Sequence, residues 1–310
     1  MRKYICTGAL FLALLGSVSA EELLNFMQRD SDGNGRLTLS ESRLKPEQFR
    51  LLDTSGNGEL SLGEFESLWM ARSGKPQFAE QAYGPDSRQR LDLYLPAQTD
   101  GLLPLVLWIH GGSWQRGSKD ACPVKNLTDS GFAVASLNYR YAQQKQFPAQ
   151  LGDCQKALRW LRAKQARFGV RFGSVSAVGH SAGGQLALLL GGRGEVSKVV
   201  AFGSPVDLTQ ELAKKVYRET LEVLVGGALE GKEHILKAAS PVFQWSHKSA
   251  QLLLLHGTGD RKVPSSEAES MVAAAQAQGI KADAIIVPDG SHSLVGGPDA
   301  WRRLVGFLRG

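Results

Sequence analysis

Residues 175–184 read Val175-Ser176-Ala177-Val178-Gly179-His180-Ser181-Ala182-Gly183-Gly184, and the apolar run 185–190 follows them. The stretch begins as a short buried strand and ends as a helix, with Gly-x-Ser-x-Gly at the turn between them. Glycine two positions to either side of Ser181 lets strand and helix pack closely, as a strained turn that exposes a serine requires. The pattern alone allows two interpretations, a nucleophilic serine and an ordinary glycine-rich turn.

Short apolar strands recur on both sides of this stretch. The predicted strands are 90–96, 103–109, 134–137, 175–178, 198–202, 252–255 and 284–287. Helical stretches separate them, including the amphipathic segments 148–168 and 299–308. This alternation predicts an α/β class fold with a doubly wound, mostly parallel sheet.

Two polar residues follow later strands, where catalytic groups of parallel sheets gather. Asp260 ends the segment after strand 252–255, and His292 ends the segment after strand 284–287. The chain order is therefore Ser, Asp, His, which is the order of one class of serine hydrolases. Asp289 and Asp207 are the alternatives for the acid, but neither occupies the strand end where the acid is expected. His180 is expected to pack in the turn, and not to act as the base.

From about residue 77 onward the chain resembles an α/β-hydrolase of the esterase and lipase kind. The motifs that carry the resemblance are His110-Gly111-Gly112-Ser113-Trp114, Asn138-Tyr139-Arg140, Gly179-His180-Ser181-Ala182-Gly183-Gly184, His256-Gly257-Thr258-Gly259-Asp260 and Ser291-His292. The carbohydrate-esterase-like and kynurenine-formamidase-like branch is the most similar. The resemblance implies a catalytic triad of Ser181, Asp260 and His292.

The resemblance also implies roles for residues around the triad. Backbone N–H groups of Gly112, Ser113 and Ala182 form the expected oxyanion hole, with His110 holding the loop by hydrogen bonds. Trp114 and Tyr139 are candidates for the substrate pocket, and simple packing is the alternative for both. Ser113 replaces the third glycine of the lipase pattern, and no long insertion predicts a lid, so lipase action on oil droplets is not expected.

The predicted function is hydrolysis of short-chain acyl esters, such as acetyl or feruloyl esters of polysaccharides, without a metal or cofactor for the chemistry. Two alternatives stay open. One is an amidase or peptidase of the same fold, and the other is a calcium-dependent binding protein whose hydrolase domain is inactive.

An internal repeat precedes this domain. Residues 30–41 and 53–64 both match the twelve-residue EF-hand calcium loop, with glycine at the sixth position. The predicted oxygen ligands are Asp30, Asp32, Asn34, the Arg36 carbonyl, Thr38 and Glu41 in the first loop, and Asp53, Ser55, Asn57, the Glu59 carbonyl, Ser61 and Glu64 in the second. Leu37 and Leu60 share the eighth position, where paired loops usually meet in a short β-bridge.

The repeat is similar to the compact EF-hand pairs of bacterial exported proteins, because one short helix must serve both loops. This predicts a small all-α module that takes Ca²⁺ as a structural ion. The second loop carries Ser55 where the first has Asp32, so we expect it to bind calcium more weakly. Residues 21–72 form the predicted pair, 73–77 the linker and 78–310 the catalytic domain.

The first twenty residues have the pattern of a secretory signal peptide. Arg2 and Lys3 precede an apolar run that ends Ser17-Val18-Ser19-Ala20. We therefore expect cleavage after Ala20 and a periplasmic or secreted protein without a membrane anchor. Export permits a disulfide between Cys122 and Cys154, but Cys154 lies on an apolar helical face where a free thiol is the simpler expectation.

Charge is unevenly distributed along the chain. Residues 21–72 hold 10 acidic and 6 basic residues, whereas residues 73–310 hold 20 acidic and 28 basic residues. The basic excess contains no cluster of Lys and Arg, so it predicts a solvated surface and not a nucleic-acid site. It mildly favours acidic polymers as partners.

Overall fold

The computed structural model describes residues 29–32, 34–44, 46, 49–50, 53, 56–61, 75–96, 101–210, 215–292 and 298–310. The predicted signal peptide, the ligands Ser55 and Glu64 and the outer helices of the EF-hand pair lie outside these residues. The chain divides into two compact units, residues 1–74 and 75–310. Within the described ranges, no helix is both long and apolar enough to cross a bilayer.

The described elements follow the predicted alternation of strands and helices. The strands are Arg36–Leu37 (β1), Leu60–Ser61 (β2), Phe78–Ala82 (β3), Arg90–Tyr94 (β4), Leu102–Ile109 (β5), Ala133–Leu137 (β6), Arg171–His180 (β7), Lys198–Phe202 (β8), Gln251–Gly257 (β9) and Ala282–Val287 (β10). The helices are Leu39–Ser42 (α1), Ala149–Lys164 (α2), Ala182–Gly192 (α3), Arg218–Val225 (α4), Glu233–Ala238 (α5), Ser266–Gln276 (α6) and Pro298–Arg309 (α7). Short 3₁₀ turns cover Lys125–Ser130, Gln165–Phe168 and Pro241–Phe243.

Strands β3 to β10 form an eight-stranded sheet in the order β10-β9-β8-β7-β5-β6-β4-β3. The pairs from β10 to β6 are parallel, and the pairs β4–β6 and β3–β4 are antiparallel. The prediction of a mostly parallel sheet is confirmed, and the arrangement is that of an α/β-hydrolase fold. The edge strand β3 was not predicted, because its exposed polar positions hide the apolar alternation that marks a strand.

Apolar side chains cover both faces of the sheet. In β5, Leu105, Leu107 and Ile109 join the core cluster on one face, whereas Val106 and Trp108 join the cluster on the other. Successive side chains of a strand point to opposite faces, so a strand covered on both sides is apolar throughout. Cys154 and Cys122 belong to different clusters, and both thiols are free and buried. The disulfide that export would permit does not form.

The turn between β7 and α3 closes without room for additional atoms. A Cβ on Gly179 would lie 2.3 Å from the carbonyl oxygen of Gly183. A Cβ on Gly183 would lie 2.1 Å from the Ile109 oxygen and 2.4 Å from the His110 oxygen. Both glycines are therefore required by packing, as the sequence pattern predicts. Helix α3 is buried along its whole length, so it cannot move away to relieve a clash.

We expect Gly183→Ala to destabilise the protein, although alanine is the better helix former, because backbone oxygens of β5 occupy the space of its Cβ. The loss should reach at least about 1–3 kcal/mol, the range for overpacked cores. Gly152→Ala in α2 is the matched control, since nothing lies within 4 Å of its added Cβ. It should raise stability by roughly 0.5–1 kcal/mol. Urea unfolding of the two variants measures the difference, and equal stability would contradict the packing argument.

Candidate active site

Parallel pairing aligns the carboxyl ends of five neighbouring strands. Ile109 pairs with Gly179 across β5 and β7, and His180 pairs with Phe202 across β7 and β8. Further along the sheet, Val287 pairs with Gly257 across β10 and β9. The loops after these strands therefore meet at one edge of the sheet, and they carry the predicted oxyanion loop, Ser181, Asp260 and His292.

The structure brings the three predicted triad residues into one chain of hydrogen bonds. His292 Nε2 lies 3.0 Å from Ser181 Oγ, and His292 Nδ1 lies 2.7 Å from Asp260 Oδ2. Asp207 instead accepts from Thr209, and Asp289 donates its amide to Thr258. Of the three candidate acids, Asp260 is therefore the one that the structure places on the His292 ring.

Ser181 sits at a backbone conformation that few L-residues adopt, with φ 53° and ψ −123°. Its amide donates to the Phe202 carbonyl oxygen at 2.8 Å, which anchors the turn to the neighbouring strand β8. The hydroxyl is thereby lifted above the strand end and in front of the first turn of α3. This geometry is that of a nucleophile elbow.

Asp260 is held ionised by its neighbours. Burial raises the pKa of its carboxyl, but hydrogen bonds from the Val263 amide, from His292 and from the Lys262 amide outweigh burial and leave the pKa below its ordinary value. The Val263 and Lys262 amides lie 2.9 and 2.8 Å from Oδ1. One carboxylate oxygen is thus fixed by backbone, and the other is left for the His292 ring.

Three further residues around the triad were not assigned these roles from the sequence. Gly203 has φ 49° and lies beside the hydrogen bond between Asp260 and His292. A Cβ at this position would lie 3.2 Å from Asp260 Oδ2 and 3.3 Å from His292 Nδ1, so a larger residue would crowd that bond. His180 Nε2 lies 2.7 Å from the His292 carbonyl oxygen, so this ring holds the loop of the base. His256 Nε2 lies 2.8 Å from the Val263 oxygen and steadies the loop of the acid. No sequence motif marks these three roles, and they become visible only from the distances in the folded structure.

The predicted oxyanion loop lies against the serine. A Cβ on Gly111 would be 3.2 Å from the Ser181 Cβ, so the two backbones are in close contact. Gly112, Ser113 and Trp114 all have positive φ, at 118°, 56° and 58°. Within the described part of the chain, no hydrogen bond takes up the Gly112 or Ser113 amide. These amides are therefore available to an anion, together with the amide of Ala182 at the start of α3.

Arg88 ties the oxyanion loop to the loop after β6. Its guanidinium NH2 group lies 3.1 Å from the Gly117 oxygen, 3.2 Å from Asn138 Oδ1 and 3.3 Å from His110 Nε2. Burial lowers the pKa of His110 to about 4, so the ring is neutral and its Nε2 accepts from Arg88. The predicted role of His110 in holding this loop is confirmed. Arg88 lies in a turn without a motif, which is why sequence reasoning missed it.

A cavity of about 220 Å³ opens beside Ser181 and His292. Trp114 lines it, with its indole N–H fixed to Gln185 at 3.0 Å. The prediction that Tyr139 lines the pocket is wrong. Tyr139 is fully buried, stacks on His110 at 4.4 Å and donates to the His110 carbonyl oxygen, so it supports the oxyanion loop from behind. A more open cavity of about 540 Å³ near Arg140 and Asp153 contains none of the triad residues.

In the smaller unit, the described part of the first loop has the oxygen atoms that calcium prefers. Ligand atoms of Asp30, Asp32 and Glu41 all lie within 4.8 Å of one another, a spacing compatible with a shared ion. Hydrogen bonds from the Ser31 side chain and from Thr38 lower the pKa of Glu41 to about 2, so its carboxylate is charged.

The second loop repeats the internal hydrogen bonds of the first. Asp30 accepts from the amides of Asn34 and Gly35, and Asp53 accepts in the same way from Asn57 and Gly58. Strands β1 and β2 pair antiparallel with Leu37 opposite Leu60, which confirms the predicted pairing of the two loops.

A second acidic group, in the larger unit, already has its cation. Glu80, Asp92 and Asp120 surround the buried ammonium of Lys119, which lies 2.9 Å from Asp92 Oδ2 and 3.2 Å from Asp120 Oδ1. The lysine pairs with all three carboxylates and offsets one of their three negative charges, so they form an ion-pair cluster of the protein itself.

Comparison with known proteins identifies a family whose sequence model matches this chain. The BD-FAE family model matches residues 91–274, more than half of the 310 residues. A probable isoprenylcysteine alpha-carbonyl methylesterase of Oryza sativa subsp. japonica is 27% identical over 240 residues, which are 68% of this chain and 56% of that protein. The chain spans about half the length of the curated relatives it matches, from 50% to 56%.

Solved structures of similar fold include a bifunctional GH43-CE protein of Bacteroides eggerthii, with a TM-score of 0.69 and 25% identity, covering 75% of this chain and 37% of that one. A truncated carbohydrate esterase from gut microbiota has a TM-score of 0.65 and 22% identity, covering 75% of this chain and 94% of that one.

We expect Asp260→Asn to slow fluorophosphonate labelling of Ser181 by roughly 10³-fold or more, because the His292 ring loses its orienting carboxylate. Asp289→Asn is the matched control, since it removes a carboxylate from the neighbouring turn without touching the ring. Its labelling rate should equal that of the unmodified protein. Mass spectrometry of the labelled serine measures both rates. If Asp289→Asn slowed the labelling and Asp260→Asn did not, the acid of the triad would be Asp289 and not Asp260.

Proposed function

The chain belongs to the BD-FAE family, and we propose that it is a serine carboxylesterase that hydrolyses short-chain acyl esters. The observation that carries the proposal is the hydrogen-bonded chain from Ser181 through His292 to Asp260, next to a cavity of only about 220 Å³. The matched relatives and solved neighbours are carboxylic ester hydrolases. A cavity of this size favours acetyl and other short acyl groups.

The reaction proceeds by acyl transfer to the serine and then to water. Ser181 Oγ attacks the ester carbonyl carbon while His292 Nε2 takes the hydroxyl proton. The carbonyl oxygen becomes an oxyanion that accepts from the amides of Gly112, Ser113 and Ala182. Collapse of the tetrahedral intermediate breaks the bond to the alcohol oxygen, which receives the proton from His292. Water then attacks the acyl-serine in the same way and releases the acid.

Asp260 keeps the imidazole in the tautomer that presents Nε2 to the serine, and its negative charge stabilises the imidazolium that forms. No metal takes part in these steps. Acetyl or feruloyl esters of polysaccharides are the substrates we favour, since a carbohydrate esterase is among the structural neighbours. Export to the periplasm or medium, which residues 1–20 suggest, would bring the enzyme to such polymers.

We expect the purified protein to hydrolyse 4-nitrophenyl acetate and butyrate, and Ser181→Ala to lose activity by roughly 10⁴-fold or more. Ser113→Ala is the matched control, because the proposed oxyanion contact uses its backbone amide and not its hydroxyl; it should keep most of the activity. A panel of anilides and formamides decides between esterase and amidase. Higher kcat/KM on the amides, or activity that survives Ser181→Ala, would contradict the esterase proposal.

We further propose that the loops 30–41 and 53–64 bind Ca²⁺ as a structural ion. The clustered carboxylates of the first loop and the repeated loop hydrogen bonds support this. When bound, the ion would neutralise charges that otherwise repel one another and would cross-link the loop residues. The proposed triad of Ser181, Asp260 and His292 lies in the other unit.

Calcium should raise the unfolding temperature of the N-terminal unit, and a chelator should reverse the effect. Glu41→Gln should weaken binding at least about tenfold, because it removes the charged ligand at the last loop position. Glu59→Gln is the control, since only the backbone carbonyl of Glu59 is a proposed ligand. Calorimetric titration of the purified protein compares the variants. Binding that is absent from the unmodified protein, or equal in the two variants, would refute the proposal.

A further inference from the structure

The cavity beside Ser181 is lined by two cationic side chains, Arg116 and Lys262. Both residues are exposed, and in the described part of the chain neither side chain has an ion-pair or hydrogen-bond partner. No aspartate or glutamate is among the lining residues, although Asp260 lies just behind them. The cavity therefore has an excess of positive charge that no other side chain of its wall compensates.

The two cations come from the two loops that define the active site. The Arg116 amide donates to the Gly112 oxygen at 3.0 Å, and its Cγ would lie 3.1 Å from a Cβ on Gly112. Its side chain therefore starts against the oxyanion loop. The Lys262 amide donates to Asp260 Oδ1 at 2.8 Å. Backbone contacts therefore hold both residues in the loops beside Ser181 and Asp260, and both side chains line the cavity.

We propose that the substrate carries a carboxylate on the part of the ester that occupies this cavity. Arg116 and Lys262, which line the cavity, supply the opposite charge. The inference rests on the proposed esterase function and narrows it to anionic esters. The carboxylate can belong to the alcohol, as in a uronic-acid-containing saccharide, or to the acyl group, as in the half-ester of a dicarboxylic acid.

The experiment compares anionic and neutral esters of similar size in a pH-stat. One arm pairs 3-acetoxybenzoate with 3-acetoxyacetophenone, which places the charge on the alcohol side. The other pairs monoethyl glutarate with ethyl pentanoate, which places it on the acyl side. At low ionic strength, kcat/KM should favour the anionic ester by roughly tenfold or more in one arm. The preference should shrink in 0.5 M salt, where the Debye length is about 4 Å.

Arg116→Gln and Lys262→Gln should each lower the anionic-to-neutral ratio of kcat/KM several-fold. Lys248→Gln is the control, because it removes the same charge from an exposed residue outside the cavity lining and should leave the ratio unchanged.

A ratio near one in both arms, or equal ratios in Arg116→Gln, Lys262→Gln and Lys248→Gln, would overturn the inference. Ser181-dependent hydrolysis of the neutral esters would in that case still support the esterase proposal. If no ester in either arm is hydrolysed, the esterase proposal fails and the inference fails with it.

Discussion

The strained turn at Ser181 is the constraint on which the rest of the active site depends. A non-glycine residue at φ 53° costs of order 1–3 kcal/mol and persists only when its surroundings hold it. Here the holding groups are the Phe202 carbonyl, which binds the Ser181 amide, and the fully buried helix α3. Packing and hydrogen bonding around the sheet thus offset the free-energy cost of the Ser181 conformation, which places the hydroxyl at the edge of the sheet.

Polar contacts fix the loops at that edge to one another. Arg88 bridges the oxyanion loop to the loop after β6, and His180 binds the backbone of His292. Gly203 leaves space for the hydrogen bond between acid and base. Such contacts position reacting groups before substrate arrives, which is the condition for electrostatic stabilisation of a transition state. Arg116 and Lys262 line the cavity beside these loops.

Residue order along the chain predicted the triad, and the structure brings its three members together. Ser181, Asp260 and His292 each follow an apolar strand, and parallel strands bring their carboxyl ends to one edge. Tyr139 was misassigned because a motif does not tell whether a ring faces the cavity or the core. Arg88 and Gly203 were missed because their roles consist of distances to residues far away in the chain.

The sequence by itself determined the fold class, seven of the eight strands of the larger sheet, the elbow and the order of the triad, since these depend on local periodicity and on glycine's missing Cβ. It also determined the repeat of the two acidic loops. Only the tertiary structure decided which acid meets His292 and whether the Tyr139 ring points to the cavity or to the core. It also decided that Cys122 and Cys154 stay apart and which charged side chains line the cavity. These outcomes depend on distances between segments, and sequence spacing does not encode those distances before the chain is folded.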